Sequence, residues 1–203
     1  MAEYLIREEQ VKQLADIVRD AMADVDLVSD RANFNVSKLP EGITSIGEYA
    51  FQDCSNLALT SLPEGITSIG DYAFYNCSNL ALTSLPEGIT SIGYYVFNKC
   101  VKLSLTSLPE GITHLSDRVF AECGISLTSL PSTITTIGSN AFFRCTKLTT
   151  LTFKGTPTSI ASNAFTACSN LTTINVPWAE GAVANAPWGA TKATINYNYT
   201  EVA

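Results

Sequence analysis

Six cysteines are the residues best equipped for chemistry in this 203-residue chain, and their spacing limits what they can do. Cys54, Cys77, Cys100, Cys123, Cys145 and Cys168 follow one another at steps of 23, 23, 23, 22 and 23 residues. A zinc site gathers its ligands from paired short spacings such as Cys-x-x-Cys. One cysteine per long period instead puts each thiol on a separate structural unit. Stacking the units brings the sulfurs near disulfide range, but parallel side chains are poorly aimed for that bond. The spacing predicts a column of buried thiols acting as small apolar side chains, with no metal site.

His114 is the sole histidine. It takes the repeat position that Ser45, Ser68 and Ser91 hold, which predicts an exposed substitution on a coil. A nucleophile paired with a histidine base would have to use it. Its aligned neighbours are ordinary Ser and Thr, and no nucleophile elbow precedes it. No glycine-rich phosphate loop occurs either. No catalytic residue and no cofactor are expected, so the chain reads as a non-enzyme.

Two side-chain ladders remain. Glu41, Glu64, Glu87 and Glu110 share one position. Carboxylates stacked at strand spacing repel by about 1 kcal/mol per pair in water-like screening, which a hard cation such as Ca²⁺ would relieve. Repeat duplication alone explains the pattern, so four solvated turn residues are expected. Tyr49, Tyr72 and Tyr95 share another position, with Tyr75, Tyr94 and Phe143 at nearby outward slots. Two readings of these aromatics stand side by side. An exposed aromatic ladder stacks sugar rings or anchors a protein partner. Alternatively, the rings stabilise neighbouring coils and bind nothing.

The elements that position these residues come from a repeat. Phe51, Phe74, Phe97, Phe120, Phe142 and Phe165 keep the cysteine steps, and Leu-Pro-Glu-Gly-Ile-Thr begins at Leu39, Leu62, Leu85 and Leu108. A decayed copy begins at Leu130, and the short step follows from a residue missing after Cys123. In one unit, Leu57, Leu59 and Leu62 predict a short strand that Pro63 ends. Gly65 and Gly70 predict turns, with Ile66 and Ile69 on the return path. Ala73, Phe74 and Cys77 are placed inward from a helical or irregular turn. Such a unit buries its apolar side only by stacking copies at about 4.8 Å, which makes a solenoid of short parallel strands.

The first five units read apolar-x-apolar-x-x-apolar, as in Leu57/Leu59/Leu62. The last two read apolar-x-x-apolar-x-apolar, Leu148/Leu151/Phe153 and Leu171/Ile174/Val176. A kink that shifts along the sheet is predicted. The face with Ala58, Thr60, Ser61, Thr83, Ser84, Thr106 and Ser107 is expected to be flat and nearly featureless.

The unit Cys-x-x-Leu…Leu-Pro-x-x-Ile-Thr-x-Ile-Gly-x-x-Ala-Phe-x-x-Cys resembles the BspA-type leucine-rich repeat over roughly residues 34–176. The resemblance implies a leucine-rich-repeat solenoid from a bacterium, a protozoan or a prophage of gut bacteria. It also implies adhesion and binding, with a protein or glycan on a cell surface as partner. The ending Val176-Pro177-Trp178-Ala179-Glu180-Gly181 through Ala186-Pro187-Trp188-Gly189-Ala190-Thr191 is similar to endings of phage tail-like proteins that carry these repeats. A structural or assembly role in a larger particle is the alternative.

Three segments follow: 1–30, 31–176 for the repeats of about 23 residues, and 177–203. Residues 7–28 predict a helix, because Val11, Leu14, Val18, Ala21, Val25 and Val28 alternate three and four apart. That seam is either a cap over the first coil or a contact that makes a homo-oligomer. Trp178, Val183, Trp188 and the alternating Ile195, Tyr197 and Tyr199 predict a C-terminal cap ending in a strand.

Net charge is -7 and 46% of residues are apolar, so a packed core is expected and nucleic acid is a poor partner. No apolar run approaches the ~20 residues that span a bilayer, so no membrane insertion is expected. Met1-Ala2-Glu3-Tyr4 lacks the basic and apolar stretches of a secretory signal. The expectation is a protein made in the cytoplasm that acts on a virion or cell surface.

Overall fold

Residues 31–36, 38–39 and 41–200 are described by a computed structural model of the chain. They wind into a parallel β-solenoid of about seven coils, each about 23 residues long. The predicted helix over 7–28 lies outside the described residues.

On one side of the coils, β1 (Ser45–Ile46), β2 (Ser68–Ile69) and β3 (Ser91–Ile92) form a parallel sheet, with Ser45 opposite Ser68 and Ser68 opposite Ser91. A second sheet continues on that side as β4 (His114–Leu115), β6 (Thr136–Ile137) and β8 (Ser159–Ile160). Each Ile or Leu points into the core. Bonds beside the strands tie the coils: Thr67 N donates to Thr44 O at 2.9 Å, and Gly70 N to Ile46 O at 2.8 Å. The ladder is interrupted between β3 and β4, where Ser116 replaces the repeat glycine. There the Ser116 hydroxyl takes the place of the missing backbone donor and reaches Ile92 O at 2.9 Å.

The predicted strands on the Leu-x-Leu side form only in part. In the early coils Leu57–Leu62, Leu80–Leu85 and Leu103–Leu108 are not strands. Single bonds join them, Ala81 N to Leu59 O and Ser104 N to Leu82 O, both at 3.0 Å. Leu-Thr-Ser-Leu puts two successive residues outward, which breaks the period of 2 that a ladder requires, and the following proline lacks a donor. The segment predicted as a return path is therefore the hydrogen-bonded one. On the Leu side β7 (Thr150–Phe153), β9 (Thr173–Asn175) and β10 (Thr194–Asn196) appear where alternation is restored, and β5 (Ser129–Leu130), still within a Leu-Thr-Ser-Leu segment, forms by pairing with β7. In Thr150-Leu151-Thr152-Phe153 the two apolar residues are buried and the threonines face outward. The expected shift in pattern becomes the appearance of a sheet rather than a moving kink.

Short helical segments were also expected, and no helix occurs between residues 32 and 200 among the described residues. The turn after Ile-Gly is a chain of overlapping turns whose N–H groups alternate between acceptors in their own coil and in the next. Such alternation is incompatible with a continuous i to i+4 pattern.

The core is a set of columns along the solenoid axis. Phe51, Phe74, Phe97, Phe120, Phe142 and Phe165 stack at centroid separations of 5.3, 5.7, 5.7, 5.7 and 5.0 Å. Each fully buried ring contributes about 1.5–3 kcal/mol by leaving water. At the C-terminal end Phe153 packs edge-on against Trp178 at 5.3 Å and lies 6.2 Å from Trp188. Trp188 is fully buried and donates its Nε1 hydrogen to Ala184 O at 2.7 Å. Strand β10 then pairs in parallel with β9 over this end of the core.

Candidate functional site: the turn edge

The edge between the two sheet sides is built from residues 47–54 of the first coil and their copies. Ala50 N bonds Gly47 O, Gln52 N bonds Tyr49 O and Cys54 N bonds Phe51 O, giving three overlapping turns. The intervening N–H groups of Tyr49, Phe51 and Asp53 reach across to Asp71 O, Ala73 O and Tyr75 O of the next coil at 2.8–2.9 Å. Tyr49 and Asp53 have φ of 57° and 60°, and Tyr72, Asn76, Tyr95, Lys99, Arg118 and Glu122 repeat this left-handed geometry. A non-glycine residue there costs about 1–2 kcal/mol. Cross-coil hydrogen bonds on every second residue, with buried Ala-Phe between, hold the strained positions. The strain aims the positive-φ side chains out of the edge at regular spacing.

The repeat glycine before this edge does not serve a left-handed turn. Gly70, Gly93 and Gly138 lack positive φ, whereas Gly42 has φ of 86°. Their requirement is space. A Cβ on Gly93 would sit 2.6 Å from Asp71 N and against the Asp71 carboxylate, which accepts the Tyr94 N–H at 2.7 Å. Asp117 caps Ser139 N the same way, at 2.7 Å, beside Gly138. Where the preceding coil carries Ser139 instead, Ala161 occupies the equivalent position and still bonds Ile137 O at 2.9 Å.

Inside the edge lies the cysteine column, free of disulfides. Cys100 Sγ donates to Phe74 O at 3.1 Å, and Cys77, Cys123, Cys145 and Cys168 donate in the same way to Phe51, Phe97, Phe120 and Phe142. The carbonyls of Phe51, Phe74, Phe97 and Phe142 also accept an N–H within their own coil. The thiols are therefore cross-coil donors as well as small apolar groups. Burial pushes Cys54 and Cys168, at the two ends, up to about 11, and raises the four between them further. Such thiols carry no thiolate at neutral pH, which removes them as nucleophiles.

Outside, the tyrosine slot forms a continuous stack. Tyr49 and Tyr72 lie 5.2 Å apart at 18°, and Tyr72 and Tyr95 lie 4.8 Å apart at 10°. Arg118 occupies the same slot one coil on and lies 5.8 Å from the Tyr95 ring and 5.8 Å from the Phe143 ring. Arg144 covers Phe143 at 5.2 Å, and Lys99 lies over Tyr75 at 5.6 Å, while Tyr75 tilts against Tyr72 at 5.8 Å. The edge thus brings Tyr49, Tyr72, Tyr75, Tyr95 and Phe143 into one aromatic and cationic strip. Tyr94 stands apart from it and is 49% exposed. Burial and the nearby Glu48 and Asp71 carboxylates raise the Tyr49 phenol, so it stays neutral. Sequence reasoning missed Lys99, Arg118 and Arg144. The signal was present, since Arg118 continues the 49, 72, 95 series at the same step.

Stacking has a chemical consequence. Both faces of Tyr72 are covered by rings, and those of Tyr95 by a ring and a guanidinium. At Tyr72 and Tyr95 the strip presents ring edges, phenol hydroxyls and a cation rather than open ring faces. His114 is exposed on β4 and hydrogen-bonds Thr136 Oγ1, away from this edge. Glu110 accepts from the backbone and hydroxyl of Ser132 at 3.2 and 3.3 Å, and Glu41 pairs with Lys38 at 4.0 Å. Among the described residues no three His, Cys, Asp or Glu side chains are placed to hold a metal ion. No helix among the described residues is long and apolar enough to cross a membrane.

A profile of the BspA type leucine rich repeat region matches residues 29–145 and 113–181, with six copies. A leucine-rich repeat protein of Treponema pallidum is 30% identical over 70% of this chain and 68% of that one, with a TM-score of 0.57. A leucine rich cell surface protein of Faecalibacterium prausnitzii is 22% identical, covering 80% of this chain and 59% of that one, at a TM-score of 0.38. A leucine-rich repeat protein of Bacteroides ovatus is 20% identical, covering 79% and 60%, at 0.37. The chain therefore spans about three fifths of these last two proteins. No match is found among curated proteins. Six copies of the repeat, spread over most of the chain in one parallel register, place it in the BspA-type leucine-rich repeat family.

Proposed function

We propose that the chain is a non-catalytic recognition module, adhesin-like in character, that binds a protein or glycan on a cell surface through its turn edge. One observation carries this reading: the strip from Tyr49 to Arg144 crosses five coils with aromatic and cationic groups held outward. Fold alone does not fix function, so the argument rests on that surface. Tyr and Arg are the residue types that dominate binding hot spots, because they bury large area with little lost freedom. Buried, protonated thiols and an exposed histidine bonded only to a threonine among the described residues support the absence of catalysis. The similarity of the ending to phage tail-like proteins finds no support among the relatives.

The test is binding of fluorescently labelled full chain to a panel of intact bacterial and animal cells. A Tyr75→Ser/Phe143→Ser variant runs in parallel, since both side chains belong to the strip and lie outside the core. Saturable binding that weakens at least about tenfold in the variant supports the reading. Equal binding by both proteins moves recognition to another face, and no binding to any cell removes the proposal.

A further inference from the structure

The cations of this chain are segregated along the solenoid. Residues 41–98 contain no Lys or Arg but six acids, Glu41, Glu48, Asp53, Glu64, Asp71 and Glu87. The next coils carry Lys99, Arg118 and Arg144 on the turn edge and Lys102 and Lys147 just past it. Lys99 and Arg144 share the slot just before the cysteine, Lys102 and Lys147 share the slot two after it, and Arg118 continues the tyrosines. Only Asp117 and Glu122 oppose them on that edge and in the two residues after it, so five cations less two acids leave +3 there in a chain of net charge -7. The Asp117 carboxylate is moreover committed to Ser139 N at 2.7 Å.

We propose that this basic part of the turn edge takes an acidic, carboxylated polysaccharide. The inference rests on the recognition reading and names its ligand class. Three observations favour this ligand. Both faces of Tyr72 are covered by rings and those of Tyr95 by a ring and Arg118, which removes from these two the face-on stacking a neutral sugar needs. Lys99, Arg118 and Arg144 recur once per coil and lie over aromatic rings at 5.2–5.8 Å, a spaced array that suits a polymer with separated charges. Arg118 and Arg144 each present a planar fork that matches a carboxylate. A nucleic acid carries one charge per about 1.7 Å of duplex, and the overall negative field of this chain opposes so dense a polyanion.

The experiment measures retention of the full chain in native gels containing polygalacturonate or hyaluronate. Methyl-esterified polygalacturonate is the uncharged control and single-stranded DNA the competing polyanion. A Lys99→Gln/Lys102→Gln/Arg144→Gln/Lys147→Gln variant tests the surface, and its four sites are exposed, so circular dichroism should match the parent. The expected result is retention by an acidic polysaccharide, at least about tenfold weaker in the variant, absent for the methyl ester and falling with salt. Retention by neither acidic polymer, equal retention of parent and variant, or tighter binding to DNA would overturn the proposal. Cell binding that persists in the variant would also overturn it, while leaving recognition standing.

Discussion

Two glycines of one coil give opposite outcomes on the same substitution. Gly88 and Gly93 both lack positive φ, so alanine meets no backbone strain at either. A Cβ on Gly88 would find its nearest neighbour, Ile66 O, at 3.6 Å, which is ordinary contact. Gly88→Ala should therefore stabilise by about 0.4–1 kcal/mol, through the reduced freedom of the unfolded chain. A Cβ on Gly93 would lie 2.6 Å from Asp71 N and 2.9 Å from Asp71 Cα, both backbone atoms of the preceding coil. Relieving those contacts requires the two coils to separate. Overpacking of that kind costs about 1–3 kcal/mol. Separation also weakens the bonds from Gly93 N to Ile69 O and from Tyr94 N to the Asp71 carboxylate, at about 1 kcal/mol each. Gly93→Ala should then destabilise by roughly 2–4 kcal/mol, leaving the two variants about 2.4–5 kcal/mol apart. Urea unfolding followed by circular dichroism resolves this, since such a gap moves the midpoints apart by at least about 1 M. Midpoints within 0.3 M (roughly the scatter of such fits) would refute the coil spacing at this position.

Alkaline pH should destabilise the fold steeply. Folded thiols are raised from the ordinary value of 9.0, Cys54 and Cys168 to about 11 and the rest beyond, so the folded state holds protons that the unfolded chain releases. Stability is then flat below pH 9 and falls above it, by up to about 1.4 kcal/mol per pH unit for each thiol. Chemical unfolding from pH 7 to 10.5 reads this slope, and a Cys100→Ala variant should lose about one sixth of it; an unchanged slope contradicts the burial of that rung. Asn98 is buried with an Oδ1 that has no partner, while Ala121 fills the same slot one coil later. Asn98→Ala should leave stability unchanged or raise it by up to about 1 kcal/mol in thermal melts, because an unsatisfied buried acceptor is costly. A loss above 1 kcal/mol would mean that the amide is bonded.

Columns were more legible than strands. The common step of Phe51, Phe74 and Phe97 fixed which residues lie opposite one another, and Ser45 pairs with Ser68, and Ser68 with Ser91, in one register. Strand position was misplaced because leucine content was read as strand content. Leu57, Leu59 and Leu62 are core residues, as expected, but Leu-Thr-Ser-Leu-Pro forms a ladder only at β5, where the neighbouring coil supplies the regular strand β7. Apolar type reports burial, whereas a ladder depends on the backbone groups left free. The edge was legible as a row of outward tyrosines. Its left-handed residues were not, since Tyr49 and Lys99 have no intrinsic preference for φ near 60°. The cross-coil bonds that enforce that geometry exist only after stacking. The thiol donors were hidden for the same reason: Phe74 O becomes an acceptor for Cys100 only across two coils.

The most direct test of the account blocks one face at a time and asks which block abolishes recognition. Tyr94→Asp/Arg144→Asp places new negative charge on the turn edge, and Thr90→Asp/Thr113→Asp places it on the exposed β3–β4 side, where both threonines face outward. Binding of each labelled protein to the same cells, at matched folding by circular dichroism, separates the faces. The account predicts that the turn-edge variant loses binding by about tenfold or more and the sheet-side variant keeps it. Retained binding by the turn-edge variant, with loss in the sheet-side variant, would contradict it.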